Sequence, residues 1–214
     1  LNKGSIENIM TKVIGVTIYQ QYICISKLDT NVHVYKNTKT LYNLSTYGAR
    51  ITCSCVNARF FVTVIGIRRG KLILYSLNKG SIENVIDLKG AQPLMVTVTN
   101  GWGFIVCYAQ KVHNGKLKHY LFVFSINGER LVKQKIDFEI TTWTTWTSTK
   151  SFDYMIVADE KGKMFAFEVF FGELGTTIYR CQSRIVTLSY LSDINCIVAV
   201  TKDGRILFVP SQLQ

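Results

Sequence analysis

An octapeptide, Leu-Asn-Lys-Gly-Ser-Ile-Glu-Asn, stands at residues 1–8 and again, identical, at 77–84. A repeat of that length predicts the same local structure twice. The chain between the copies holds a second set of alternating apolar runs, so the interval divides into two units of about 38 residues, close to the ~40 of a four-stranded propeller blade. Each unit reads as an outer strand, an inner strand and two middle strands joined by a tight polar turn. In the second unit these are Leu41 to Leu44, Ile51 to Val56, Phe60 to Ile67 and Leu72 to Leu77, with the turn at Arg68-Arg69-Gly70-Lys71.

Matching turns follow at His113-Asn114-Gly115-Lys116, Glu160-Lys161-Gly162-Lys163 and Lys202-Asp203-Gly204-Arg205, with an earlier one at Leu28-Asp29-Thr30-Asn31. The glycine supplies the positive φ that such hairpins demand. The steps from Gly70 to Gly115 to Gly162 to Gly204 are 45, 47 and 42 residues, which is blade spacing and longer than the strand spacing of a sandwich. Five units fit, at 1–39, 40–77, 78–127, 128–170 and 171–214. Ser5 to Met10 matches the outer strand at Ser81 to Leu88, whereas the last strand, Arg205 to Pro210, matches a middle one. The final blade thus lacks an outer strand that the amino-terminal one could provide, and the chain is expected to be either a small closed ring or a ring with blades missing.

Composition agrees. Of 214 residues 48% are hydrophobic and 18% charged, too apolar for a disordered chain. Only two prolines, 12% aromatics and dense Val, Ile, Thr, Tyr and Phe argue for stacked strands over a helical bundle. Runs such as Phe60 to Ile67 stop at Arg68 and Arg69, far short of the roughly 20 apolar residues of a spanning helix, so a soluble domain is expected. Leu1-Asn2-Lys3-Gly4 has neither an initiator Met nor an apolar signal core; this predicts a start inside a longer polypeptide and no secretory leader.

Chemistry-bearing motifs are missing. Six cysteines, at 24, 53, 55, 107, 181 and 196, lie mostly in apolar runs and form no C-x-x-C pair, so free buried thiols are expected. Cys53 and Cys55 share a strand face, but zinc would need two further ligands at a recognisable spacing. His33, His113 and His119 stand in no nucleophile motif. The last two flank a turn beside Lys111, Lys116 and Lys118 and read as a solvated loop. No sialidase-type turn, no D-x-D-x-D-G spacing and no phosphate-binding glycine loop occurs; Gly101-Trp102-Gly103 lacks the third glycine. The expectation is a non-enzymatic domain with no catalytic residue, cofactor or metal. Trp143 and Trp146, three apart on one strand, should point to opposite faces and pack between blades.

The second half resembles a known family. The residues that carry the likeness are Trp102-Gly103-Phe104, Phe124-Ser125-Ile126-Asn127-Gly128, Ile140 through Thr147 with its paired tryptophans, and Phe152-Asp153-Tyr154. They continue through Gly162 to Glu168, Ile178-Tyr179-Arg180-Cys181 and Val200 to Phe208. Together they look like the carboxy-terminal WD-repeat propeller of the BEACH-domain proteins, the neurobeachin and Chediak-Higashi group. The likeness covers about 94 to 210. The Gly-His and Trp-Asp signatures of WD repeats are absent. The resemblance implies an all-β WD-repeat-type propeller, with about five blades here of a ring of about seven. It further implies a cytoplasmic scaffold in vesicle traffic or membrane fusion and fission, peripheral to endosomal or lysosome-related membranes. Partners would be other proteins and the pleckstrin-like and BEACH domains of the same polypeptide.

Charge supplies the one collective feature. Lys and Arg number 25 against 14 Asp and Glu, a formal net charge of +11, which makes acidic surfaces the expected partners. In a WD-type blade the turn between the middle strands and the loop from outer to inner strand emerge on one rim. That rim would carry Arg68, Arg69, Lys71, Lys111, Lys116, Lys118, Lys161, Lys163, Lys202 and Arg205, with Arg50, Lys89 and Arg184 from the other loops. Its acids would be Asp29, Asp87, Asp159, Glu160 and Asp203. Three readings stay open: docking of proteins, peripheral binding of anionic, including phosphoinositide-bearing, membrane, and association with nucleic acid. The last ranks lowest, because most aromatics alternate inside strands and are not interleaved with the basic residues.

Overall fold

The computed structural model describes residues 13–27, 30–148 and 152–210. They form a β-propeller of five blade-type sheets, every strand pair whose register is defined being antiparallel. The strands are β1 (Val13–Tyr19), β2 (Tyr22–Lys27), β3 (Asn31–Lys36), β4 (Lys39–Ser45), β5 (Ile51–Asn57), β6 (Val62–Ile67), β7 (Lys71–Ser76) and β8 (Ile82–Asp87). There follow β9 (Gln92–Val98), β10 (Ile105–His113), β11 (Lys116–Phe124), β12 (Arg130–Ile136), β13 (Ile140–Thr147), β14 (Asp153–Asp159), β15 (Lys163–Glu168) and β16 (Glu173–Arg180). The last three are β17 (Ile185–Leu191), β18 (Cys196–Thr201) and β19 (Ile206–Pro210). A one-turn 3-10 helix at Ser192–Ile194 is the only helix among the described residues, and it is far too short to cross a membrane.

Each sheet is a meander of consecutive strands: β1–β4, β5–β8, β9–β12, β13–β16 and the three-stranded β17–β19. These sheets are offset by one strand from the repeat units of the sequence. The outer strand β4, which the sequence groups with β5 to β7, hydrogen-bonds to β3 instead. The cause is local: Asn37 and Thr38, with φ of 48° and 66°, make a two-residue turn that folds β4 back on β3, whereas Thr46 to Arg50 leave room to step to the next sheet. Strand β6 also starts later than the apolar run suggests. The Asn57 carboxamide oxygen accepts the backbone N–H of Arg59 and Phe60 at 3.0 and 3.3 Å, so Phe60 and Phe61 belong to a turn. The expected strand at Ser5 to Met10 and most of the turn at Leu28 and Asp29 lie outside the described residues.

Residues up to Val96 form one compact unit and those from Thr97 a second. In the first, sheets β1–β4 and β5–β8 meet over Cys24, Val32, Val34, Ile65, Ile73 and Tyr75, all buried. The alternating burial of β2 and β3 is the period-2 pattern expected of a pleated face. The Tyr75 hydroxyl donates to the Ser45 carbonyl, tying the two sheets together at the end where the chain crosses between them. In the second unit, sheets β13–β16 and β17–β19 close over Trp146, Ile156, Met164, Ile185, Ile197 and Ala199. Trp146 is buried between Tyr154 and Tyr190, at ring-centroid distances of 5.1 and 5.2 Å, while Trp143 stands opposite Val157 on the other face and is half-buried. All six cysteines are free thiols, four of them buried.

Candidate docking surfaces

Backbone hydrogen bonds gather the basic residues of the first unit. The Arg68 N–H donates to the Arg50 carbonyl at 2.9 Å, and the Leu88 N–H to the Gly70 carbonyl at 2.8 Å. Three connections, at 46–50, 68–70 and 88–91, thus lie at one end and present Arg50, Arg68, Arg69, Lys71 and Lys89, all exposed. Lys89 is engaged by Asp87 at 4.0 Å, and the Asp87 carboxylate also accepts the Lys89 backbone N–H at 2.7 Å. A cleft of about 400 Å³ opens here, lined by Arg50, Arg68, Thr52 and Gln92 together with the apolar Ile14, Ile51 and Leu94.

The second unit builds a similar end with a different balance. The buried Asp159 carboxylate accepts the N–H groups of Lys161 and Lys163 at 2.9 and 2.8 Å and so shapes the Gly162 turn. The Cys181 N–H donates to the Gly162 carbonyl, and the Lys202 N–H to the Arg184 carbonyl. Cations there are partly matched: Arg184 pairs with Glu139 at 3.3 Å and Arg205 with Asp203 at 2.7 Å. The Thr201 hydroxyl and the Arg205 guanidinium hold the Asp203 carboxyl down to about 2. Glu160 accepts the Glu139 N–H at 3.0 Å. Lys161 and Lys202 are exposed; Lys163 is half-buried. Lys111 and Lys118 lie inside β10 and β11 and are not turn residues, with Lys116 beside them at the hairpin tip.

A third surface escaped the sequence. Asp153 is buried and takes four hydrogen bonds: from the Thr99 hydroxyl at 2.6 Å, the Thr147 hydroxyl at 2.8 Å, and the Gly101 and Trp102 backbone N–H groups at 2.8 Å each. Its own carbonyl accepts the Val169 N–H. Around this hub Trp102, Phe152, Phe170 and Phe171 are exposed by 61%, 39%, 53% and 59%, with Phe170 against Phe104. Aromatic side chains in turns are an unusual use of apolar area and the composition of a protein-contact patch. The consecutive pair Phe170-Phe171 just before Gly172 was the available signal, since a turn cannot bury both rings.

The histidines form no nucleophile constellation among the described residues. His119 Nδ1 lies 2.7 Å from the Tyr108 hydroxyl and the rings stack, while burial pushes the Tyr108 phenol up to about 12. His33 stacks on Tyr35. No three His, Cys, Asp or Glu among the described residues come together in a metal-binding group.

No family model matches the sequence, and no curated protein matches it either. Solved structures do. The computationally designed Ika8 protein is similar at TM-score 0.68 and 18% identity over 94% of this chain and 58% of that one. The computationally designed Ika4 protein is similar at TM-score 0.58 and 18% identity over 78% and 95%. A chain of the mitotic checkpoint complex is similar at TM-score 0.73 and 8% identity over 93% and 61%. The chain thus spans about three fifths of the length of the first and third of these. Identities this low speak to the fold alone, and the fold is a propeller.

Proposed function

We propose that this chain is a non-enzymatic docking domain whose basic end in the first unit receives an acidic segment of a partner protein. The observation that carries it is the cleft of about 400 Å³ lined by Arg50 and Arg68, with Arg69 and Lys71 next in sequence and exposed. Guanidinium groups bind carboxylates in bidentate fashion, and the apolar lining residues offer area to an aliphatic side chain between them. Propellers commonly serve as protein-interaction scaffolds, which supports the same reading. The paired tryptophans and Phe152-Asp153-Tyr154 support a place in a BEACH-type protein of vesicle traffic, membrane fusion or fission, with the five blades forming part of a ring of about seven. In that setting the scaffold works in the cytoplasm at endosomal or lysosome-related membranes, and its acidic partner is another protein or a neighbouring domain of its own polypeptide.

The coding sequence upstream of Leu1 tests the family assignment. A pleckstrin-like domain followed by a BEACH domain is the expected finding, and an unrelated upstream region overturns it. Binding of the purified upstream region to this chain, weakened by Arg68→Glu with Arg69→Glu, is the expected result for a partner within the same polypeptide; an unchanged affinity moves that partner to another protein.

A further inference from the structure

The β10–β11 hairpin is built unlike the others. Its strands run nine residues each, against six and six in β6–β7 and seven and six in β14–β15. The pairing of β12 with β11 ends at Ile136 opposite His119, so the cross-strand pairs Lys111–Lys118, Val112–Leu117 and His113–Lys116 continue past it. Three extra residues per strand project the tip by roughly 10 Å at strand rise. Alternation divides the tip into two faces. Lys111, His113, Lys116 and Lys118 occupy one; Val112 and Leu117 occupy the other and are 66% and 52% exposed. Glu139 and Glu160 act on Tyr108 at the base of the hairpin.

We infer that this hairpin seats the domain on an anionic lipid surface, its Val112–Leu117 pair entering the headgroup boundary while the flanking cations meet lipid phosphates. Val112 and Leu117 stand exposed side by side at a tip that projects past β12, with the cations on the opposite face of the hairpin. A membrane interface takes both at once: apolar side chains gain by leaving water, and each basic residue near an anionic surface strengthens binding about fivefold. The inference is independent of the acidic-partner reading, which rests on the first unit.

The test is co-sedimentation of the 214-residue chain with vesicles of phosphatidylcholine alone or mixed with phosphatidylserine, at low and raised salt. The wild type should bind the mixed vesicles, lose binding as salt rises, and ignore pure phosphatidylcholine. Val112→Ser with Leu117→Ser should weaken binding at least tenfold with the salt dependence kept; Lys116→Glu with Lys118→Glu should weaken it more and flatten the salt dependence. Melting temperature should not move in either variant, because all four residues lie past the end of the β11–β12 pairing. Absence of wild-type binding at low salt overturns the inference. So does full binding by the Val112/Leu117 variant, which would leave charge alone at work, and so does a Lys116/Lys118 variant that loses an acidic peptide but not vesicles, which would assign the hairpin to a protein.

Discussion

Thr99, just after β9, donates its hydroxyl to the Asp153 carboxylate at the head of β14 across 2.6 Å, so that one buried acid joins two sheets of the second unit. The same carboxylate collects Thr147 and the N–H groups of Gly101 and Trp102, which fixes the loop that presents the Trp102 ring. Asp153→Ala would leave two hydroxyls and two N–H groups without their acceptor, each at a cost of about 1–3 kcal/mol when no water reaches it. The variant should lose about 3 kcal/mol or more of stability and change Trp102 fluorescence, whereas Asp153→Asn, which keeps an acceptor, should lose less. Denaturant unfolding of both variants decides this; equal, small losses would contradict the hub.

Trp146 ties a second pair of sheets, lying between Tyr154 of its own sheet and Tyr190 of the next. Removing its ring should cost about 3–5 kcal/mol, the range for a large aromatic in a core. Trp143, half-buried on the opposite face, should cost clearly less when cut to Ala. Calorimetry of the two single variants separates these, and a larger loss at Trp143 would reverse the assignment.

The turns were legible because their backbone demands glycine: Gly70, Gly115, Gly162 and Gly204 all take positive φ, and their spacing counts the blades. Partnership was harder to read. Which sheet owns β4 depends on the two-residue turn at Asn37 and Thr38, in residues that adopt the left-handed region less readily than glycine. The basic residues were visible as a set, and Arg205 pairs with Asp203 inside its own turn, but the pairing of Arg184 with Glu139 arises only when segments 45 residues apart in sequence meet. Trp102, Phe170 and Phe171 look like core residues in sequence, and exposure at a turn is a property of the folded loops alone.

Glycine at two of these turns does different work. A Cβ on Gly162, at φ of 79°, would stand 2.5 Å from the Ser183 carbonyl and 2.8 Å from that of Cys181, whereas one on Gly115, at φ of 71°, would meet nothing within 4 Å. Gly115→Ala should therefore cost only the left-handed backbone penalty, about 1 kcal/mol. Gly162→Ala should cost at least about 2 kcal/mol more, because backbone must move. Matched urea melts of the two variants check this, and equal destabilisation would refute the close approach.

Burial pushes the Cys24 thiol up to about 11 and that of Cys53 up to about 12. The unfolded chain loses these protons near pH 8.5, so above that pH the native state holds more protons and stability falls as pH rises. Stability should be level below about pH 8.5 and decline toward pH 10, by up to about 1.4 kcal/mol per pH unit for each thiol. Cys24→Ala should make that decline shallower, leaving the share of the other raised thiols; a level profile in the wild type would contradict the burial. Mass spectrometry after non-reducing denaturation should find all six cysteines free.

Titration of a fluorescent, glutamate-rich peptide by anisotropy probes the basic end of the first unit most directly. Wild-type chain should bind it with an affinity that falls as salt rises. Arg68→Glu with Arg69→Glu should weaken binding at least tenfold, while Lys39→Glu, in the turn at the opposite end of sheet β1–β4, should leave it within about twofold. Equal affinity for the wild type and the Arg68/Arg69 variant, or no binding even at low salt, would contradict the docking role assigned to the cleft beside Arg50 and Arg68.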